Sequence, residues 1–149
     1  MTERNFRVKG VNHLGLAPKD PERFAKLLKD LGLRELSTEV VPTQATSTHI
    51  FGFPAFPDPV DNMTENLLEI LSPTVPNEGP IASFLTKKGG GIHHLALTVD
   101  HLHSAVEHLQ TLGYQFISDT PQNGVCGTLI VFLHPHSTGG VLVELVQNP

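Results

Sequence analysis

A chain of 149 residues with 39% apolar and 17% charged residues suffices for one globular domain, or two small modules sharing a core. Its net charge of −5 excludes the basic surface that a nucleic-acid partner needs, and no apolar run is long enough to cross a bilayer. A single cysteine, Cys126, forbids an intrachain disulfide, and the polar start Met1-Thr2-Glu3-Arg4 lacks a secretory leader, so the expected location is the cytoplasm.

Alternation over residues 8–16 predicts a first strand. Asp20-Pro21-Glu22 then opens a helix, with Asp as cap, Pro at the first helical position and an acid in the first turn. Phe24, Leu27, Leu28 and Leu31 recur at helical spacing, and Gly32 ends the run. Residues 33–41 and 46–53 read as strands joined across Pro42-Thr43-Gln44. A loop follows over 53–61, where Pro54, Pro57 and Pro59 forbid regular structure; a short strand over 67–71 is ended by Ser72-Pro73. Residues 80–88 predict a short helix, broken by Gly89-Gly90-Gly91. That triplet reads as a turn and not a phosphate cradle, because no Lys-Ser/Thr pair and no helix come after it. The order then repeats: a strand over 91–99, a helix over 101–112, and strands over 114–118, 128–133 and 141–146.

The repetition extends to the residues themselves. Val11-Asn12-His13-Leu14-Gly15-Leu16 returns as Ile92-His93-His94-Leu95-Ala96-Leu97, and the offset of 81 also carries Leu28 onto Leu109 and Gly32 onto Gly113. Asn66-Leu67-Leu68-Glu69-Ile70-Leu71 returns as Val141-Leu142-Val143-Glu144-Leu145-Val146 at an offset of 75. Each half is therefore β-α-β-β-β, and a sheet with one helix leaves its other face to be covered. The expected fold is α+β: two tandem βαβββ modules, over about 8–72 and 91–147, joined by a linker over 73–90. Together they form one domain over 1–149, a pseudo-twofold open barrel around a metal cleft.

Each half carries one His in its first strand and one Glu in its last. Glu69 and Glu144 interrupt otherwise apolar strands, where an acid is costly to bury unless it is paired or bound to a metal. His13, Glu69, His94 and Glu144 are thus the candidate ligands of one divalent ion. Two imidazoles and two carboxylates suit Co, Zn, Ni, Mn or Fe, and four protein ligands in an octahedral shell leave two positions for water or substrate. His101, His103 and His108 fall in a helix and are expected at its surface, His93 must face away from His94, and His134-Pro135-His136 lies in a turn. Cys126 has no activating neighbours in the chain.

At these residues the chain resembles the vicinal oxygen chelate superfamily and, within it, the methylmalonyl-CoA epimerase family. The likeness is carried by Asn12-His13-Leu14-Gly15-Leu16, Leu68-Glu69-Ile70-Leu71-Ser72-Pro73, Pro80-Ile81-Ala82-Ser83-Phe84-Leu85, Gly91-Ile92-His93-His94-Leu95-Ala96, Phe132-Leu133-His134-Pro135 and Ser137-Thr138-Gly139-Gly140-Val141-Leu142-Val143-Glu144-Leu145. The resemblance implies the same four ligands, His13, Glu69, His94 and Glu144, for Co, Zn, Mn or Ni. It also implies an acyl-CoA substrate, a homodimer, and proton exchange beside a thioester carbonyl, with the metal stabilising the enolate oxygen. Such inversion needs two bases, for which Glu144 is the first choice and Glu69 the second. Some epimerases carry a Glu six residues after a proline matching Pro42; Thr48 stands there in this chain, and His136 stands where many have Lys. The alternatives are a glyoxalase I-type lyase or isomerase acting on a hemithioacetal, a ring-cleaving iron dioxygenase, and a metal-free binding protein of the same fold.

Overall fold

The computed structural model describes residues 3–53 and 65–149, so the proline-rich loop beyond Phe53 lies outside the described residues. The chain divides into two compact units, one of residues 13–93 and one of residues 1–12 with 94–149. The division falls inside two strands, β1 (Val8–Ala17) and β5 (Gly91–Val99), which begin in one unit and finish in the other. Among the described residues no helix is long and apolar enough to cross a membrane.

In the unit of residues 13–93, helix α1 (Pro21–Asp30) starts as its sequence predicts. The Asp20 side chain accepts from the Arg23 amide at 3.1 Å, and Gly32 just past the end takes a positive φ of 95°. Strands β2 (Arg34–Val41) and β3 (Thr46–Gly52) are joined by a 3-10 turn over Pro42–Gln44, and β4 (Leu67–Pro73) follows. The strand order is β2-β3-β4-β1, with β3 antiparallel to both its neighbours and β4 parallel to β1. β4 is longer than expected. Ser72 and Pro73 do not end it but pair with Ser47 and Thr46, since a proline at the last position of a strand forfeits no interior hydrogen bond.

The two faces of this unit are covered differently. Leu28, with Phe24 and Ala25 of α1, packs on Phe51 and Ile70. Helix α2 (Gly79–Lys88) lays Ile81 and Phe84 against Ala17 and Leu71, on the face that Glu69 shares. Gly89, Gly90 and Gly91 all have positive φ, which makes the triplet the turn expected of it.

In the other unit, β5 pairs parallel to β8 (Val143–Gln147), and β8 pairs antiparallel to β7 (Leu129–Leu133). Helix α3 (Leu102–Thr111) supplies Leu102, Ala105 and Val106 to a core with Phe6, Val99, Val131, Leu133 and Leu145. His101 caps α3 in backbone only; the Leu102 amide donates to the Gln147 side chain at 2.8 Å, tying the helix start to β8. His108 is not merely a surface residue, because its ring meets Phe6 edge-on at 5.6 Å.

The strand expected over 114–118 is not formed. Phe116 makes an isolated bridge to Leu133, and the edge pairing resumes only at β6 (Gln122–Asn123), opposite Ile130 and Leu129. The intervening Ser118-Asp119-Thr120-Pro121 breaks the ladder with turn formers and a residue that lacks an amide hydrogen. The last strand begins at Val143, two residues later than expected, after Gly139 and Gly140 with φ of 72° and 96°.

Candidate metal centre

Register decides which side chains meet. In the first unit Gly15 of β1 lies opposite Glu69 of β4; in the second Ala96 of β5 lies opposite Glu144 of β8. These are repeat-equivalent pairs at the same offsets of 81 and 75. His13 and His94 stand two residues earlier on the same faces, about 7 Å along their strands. Both opposing residues are small, which leaves room for each carboxylate to bend back towards its histidine.

The outcome is the same in each unit. His13 Nε2 lies 2.7 Å from Glu69 Oε2, and His94 Nε2 lies 3.0 Å from Glu144 Oε2. All four side chains are buried, the most exposed at 6%. Carboxylates so enclosed lose their hydration and need a cationic or hydrogen-bonding partner in its place. Ile50 lies opposite Glu69 across β3 and β4, and Phe132 opposite Glu144 across β7 and β8. The Phe132 ring also meets the His94 ring edge-on at 5.7 Å, so each carboxylate has an apolar wall.

The donor set fits a divalent ion. Two ligand atoms at right angles, each about 2.1 Å from a metal, stand about 3.0 Å apart, and both Nε2–Oε2 separations match that edge. Histidine nitrogen with carboxylate oxygen is the mixed set that Zn, Co, Mn and Ni accept. His13, Glu69 and His94 offer three buried ligand atoms of these kinds.

The other sequence candidates lie elsewhere. His93 faces away from its neighbour and meets Phe84 edge-on at 5.0 Å. His134 and His136 stack at 4.7 Å, and the His136 amide donates to His134 Nδ1 at 3.2 Å. Cys126 is exposed, with a φ of 55° in the 3-10 turn Val125–Gly127. Thr48 is buried on β3, on the face of Ile50 and Glu69. One polar residue escapes sequence reasoning altogether. Asn12, 5% exposed, donates to Thr98 Oγ1 at 3.2 Å and to Asn148 at 3.3 Å. Nothing in its surroundings in the chain marks it except its place beside His13.

The chain belongs to the Glyoxalase/Bleomycin resistance protein/Dioxygenase superfamily, whose model matches residues 12–132. Within that class the proteins it is similar to include methylmalonyl-CoA epimerases. It is 34% identical to the mitochondrial methylmalonyl-CoA epimerase of Dictyostelium discoideum, over 93% of this chain and 78% of that protein. The human mitochondrial enzyme is 33% identical over 92% of this chain and 73% of its own. A variant of the Streptomyces coelicolor methylmalonyl-CoA epimerase, solved with 2-nitronate-propionyl-CoA, superimposes with a TM-score of 0.83. It is 26% identical and covers 95% of this chain and 99% of its own.

Proposed function

We propose that this protein is a metal-dependent epimerase that moves the α-proton of a methylmalonyl-CoA-like acyl-CoA thioester from one face of the carbon to the other. The observation that carries the reading is the pair of repeat-equivalent, buried His–Glu contacts in a chain whose curated relatives bear that name. His13, Glu69, His94 and Glu144 together hold one divalent ion, one of Co, Zn, Mn or Ni. When bound, that ion supplies a Lewis acid for the oxygen on which negative charge develops.

The chain's own groups handle the proton. Glu144 accepts it from the α-carbon on a carboxylate oxygen, and the released electron pair delocalises into the thioester carbonyl. Glu69 starts as the protonated acid and gives that proton to the opposite face of the carbon, leaving Glu144 protonated, so that the two groups exchange roles when the reaction runs backwards. His13 and His94 stand beside these carboxylates as fellow ligands of the ion, with Nε2 2.7 and 3.0 Å from Oε2. Ile50 and Phe132 screen them from water. The single domain over 1–149, a homodimer and a cytoplasmic location complete the proposal; the last rests on the single cysteine.

Deuterium wash-in tests it. Methylmalonyl-CoA incubated in heavy water with the cobalt-loaded protein should gain deuterium at the α-carbon while its configuration scrambles, and the chelator-treated protein should be inactive. A protein that leaves this thioester untouched but converts a hemithioacetal belongs to the glyoxalase I type instead.

A further inference from the structure

Among the described residues four threonines are buried: Thr46, Thr48, Thr98 and Thr128. Three have hydroxyl partners. Thr46 donates to the Gln44 carbonyl at 3.0 Å, Thr128 donates to the Val125 carbonyl at 2.8 Å, and Thr98 accepts from Asn12 at 3.2 Å. Thr48 is 3% exposed, yet among the described residues its hydroxyl has no hydrogen-bond partner. Every fully enclosed polar side-chain atom of the described residues does have one. The Thr48 hydroxyl therefore keeps contact with open space, although the rest of the residue is enclosed.

Register states which way it looks. Thr48 lies opposite Leu71, and Ile50, two residues on, lies opposite Glu69. Side chains two apart share a face, so Thr48 and Glu69 are diagonal neighbours on one face of β3 and β4, with Cβ atoms about 7 Å apart. A hydroxyl held without a partner beside a candidate centre is a donor in waiting. On the other flank Glu39 of β2 lies opposite Thr48.

We infer that Thr48 is a substrate-positioning residue whose hydroxyl donates to an acyl-group oxygen of the bound thioester. The assignment rests on the acyl-CoA reading proposed above. A threonine cannot deprotonate carbon, so the role is that of a donor and not of a base.

The test uses the whole chain with Thr48→Val, which keeps the shape and removes the hydroxyl, and Thr48→Ser, which keeps the hydroxyl. Binding of malonyl-CoA and propionyl-CoA is measured by calorimetry, and Tm by thermal unfolding. Thr48→Val should bind both thioesters about 3- to 10-fold more weakly, and its Tm should equal or exceed that of the wild type. Thr48→Ser should restore affinity. Weakening with malonyl-CoA alone supports the donor and assigns it to the free carboxylate. Unchanged affinity for both, or a Tm several degrees lower in the valine variant, overturns the assignment and leaves the epimerase reading standing. A wild type that binds neither thioester overturns both.

Discussion

A carboxylate buried in an apolar strand loses its hydration, and at Glu69 and Glu144 an imidazole nitrogen replaces it at 2.7 and 3.0 Å. Glu144→Gln keeps the volume and a hydrogen bond but removes the basic oxygen. Turnover should fall about 10²- to 10⁴-fold with an unaltered circular dichroism spectrum; near wild-type turnover would remove Glu144 from the chemistry. Glu69→Ala should weaken metal binding about 100-fold in competition with a chelator. Unchanged affinity would place Glu69 outside the coordination sphere. At the surface, Glu35 has its carboxyl held below its ordinary 4.5 by hydrogen bonds, with His49 first and Lys29 next, and by the Lys29 charge. A depressed carboxyl adds stability that is fully present above the unfolded value and is lost as pH falls through the folded one. Glu35→Gln should therefore unfold at lower urea than the wild type at pH 7, and the difference should vanish once the pH has fallen far enough below 4.5 to protonate the folded carboxyl. A difference that persists there would mean that Glu35 stabilises by packing.

Among the elements, the helices and their ends follow from local chemistry. Asp20 caps α1, and Gly32 permits a left-handed exit. Gly79 and Gly32 offer a controlled comparison at two positive φ values, 86° and 95°. A Cβ at Gly32 meets nothing within 4 Å, whereas one at Gly79 would stand 2.2 Å from the Gln44 carbonyl oxygen. Gly32→Ala should cost about 1 kcal/mol of backbone strain. Gly79→Ala should cost about 2 kcal/mol more, as the start of α2 is pushed off the β2–β3 turn. Equal urea midpoints for the two variants would contradict that packing. Periodicity marked β1, α1, β3, β5 and α3 because each has a single dominant pattern. It misjudged 114–118, whose Tyr-Gln-Phe-Ile-Ser alternation is strand-like. The backbone of the segment pairs with β7 through the Phe116–Leu133 bridge and the bond from Ile117 N–H to the Phe132 carbonyl, and with His134 just beyond it through His134 N–H to the Gln115 carbonyl. Pairing along an edge depends on the partner strand, and local pattern does not carry that information.

For the molecule as a whole, duplication was the legible feature, since an offset of 81 or 75 residues needs no knowledge of packing. It named His13, Glu69, His94 and Glu144, and the structure joins them as two buried pairs within their own units. Asn12 carried no such mark, and Thr48 stood out only through the resemblance, as the residue in place of a Glu. What either can do depends on hydrogen-bond partners that the fold supplies or withholds. A ligand that binds the folded chain alone stabilises it by mass action, so saturating cobalt should raise Tm and a chelator should reverse the gain.

Metal stoichiometry in the wild type, His13→Ala and His94→Ala, measured by elemental analysis after equilibrium dialysis against cobalt, tests the shared centre most directly. One ion per chain in the wild type, and almost none in either variant, is the result that the proposed four-ligand centre predicts. Two ions per wild-type chain with one lost in each variant would mean that the His–Glu pairs act separately, and no metal in any of the three would remove the ion from the account.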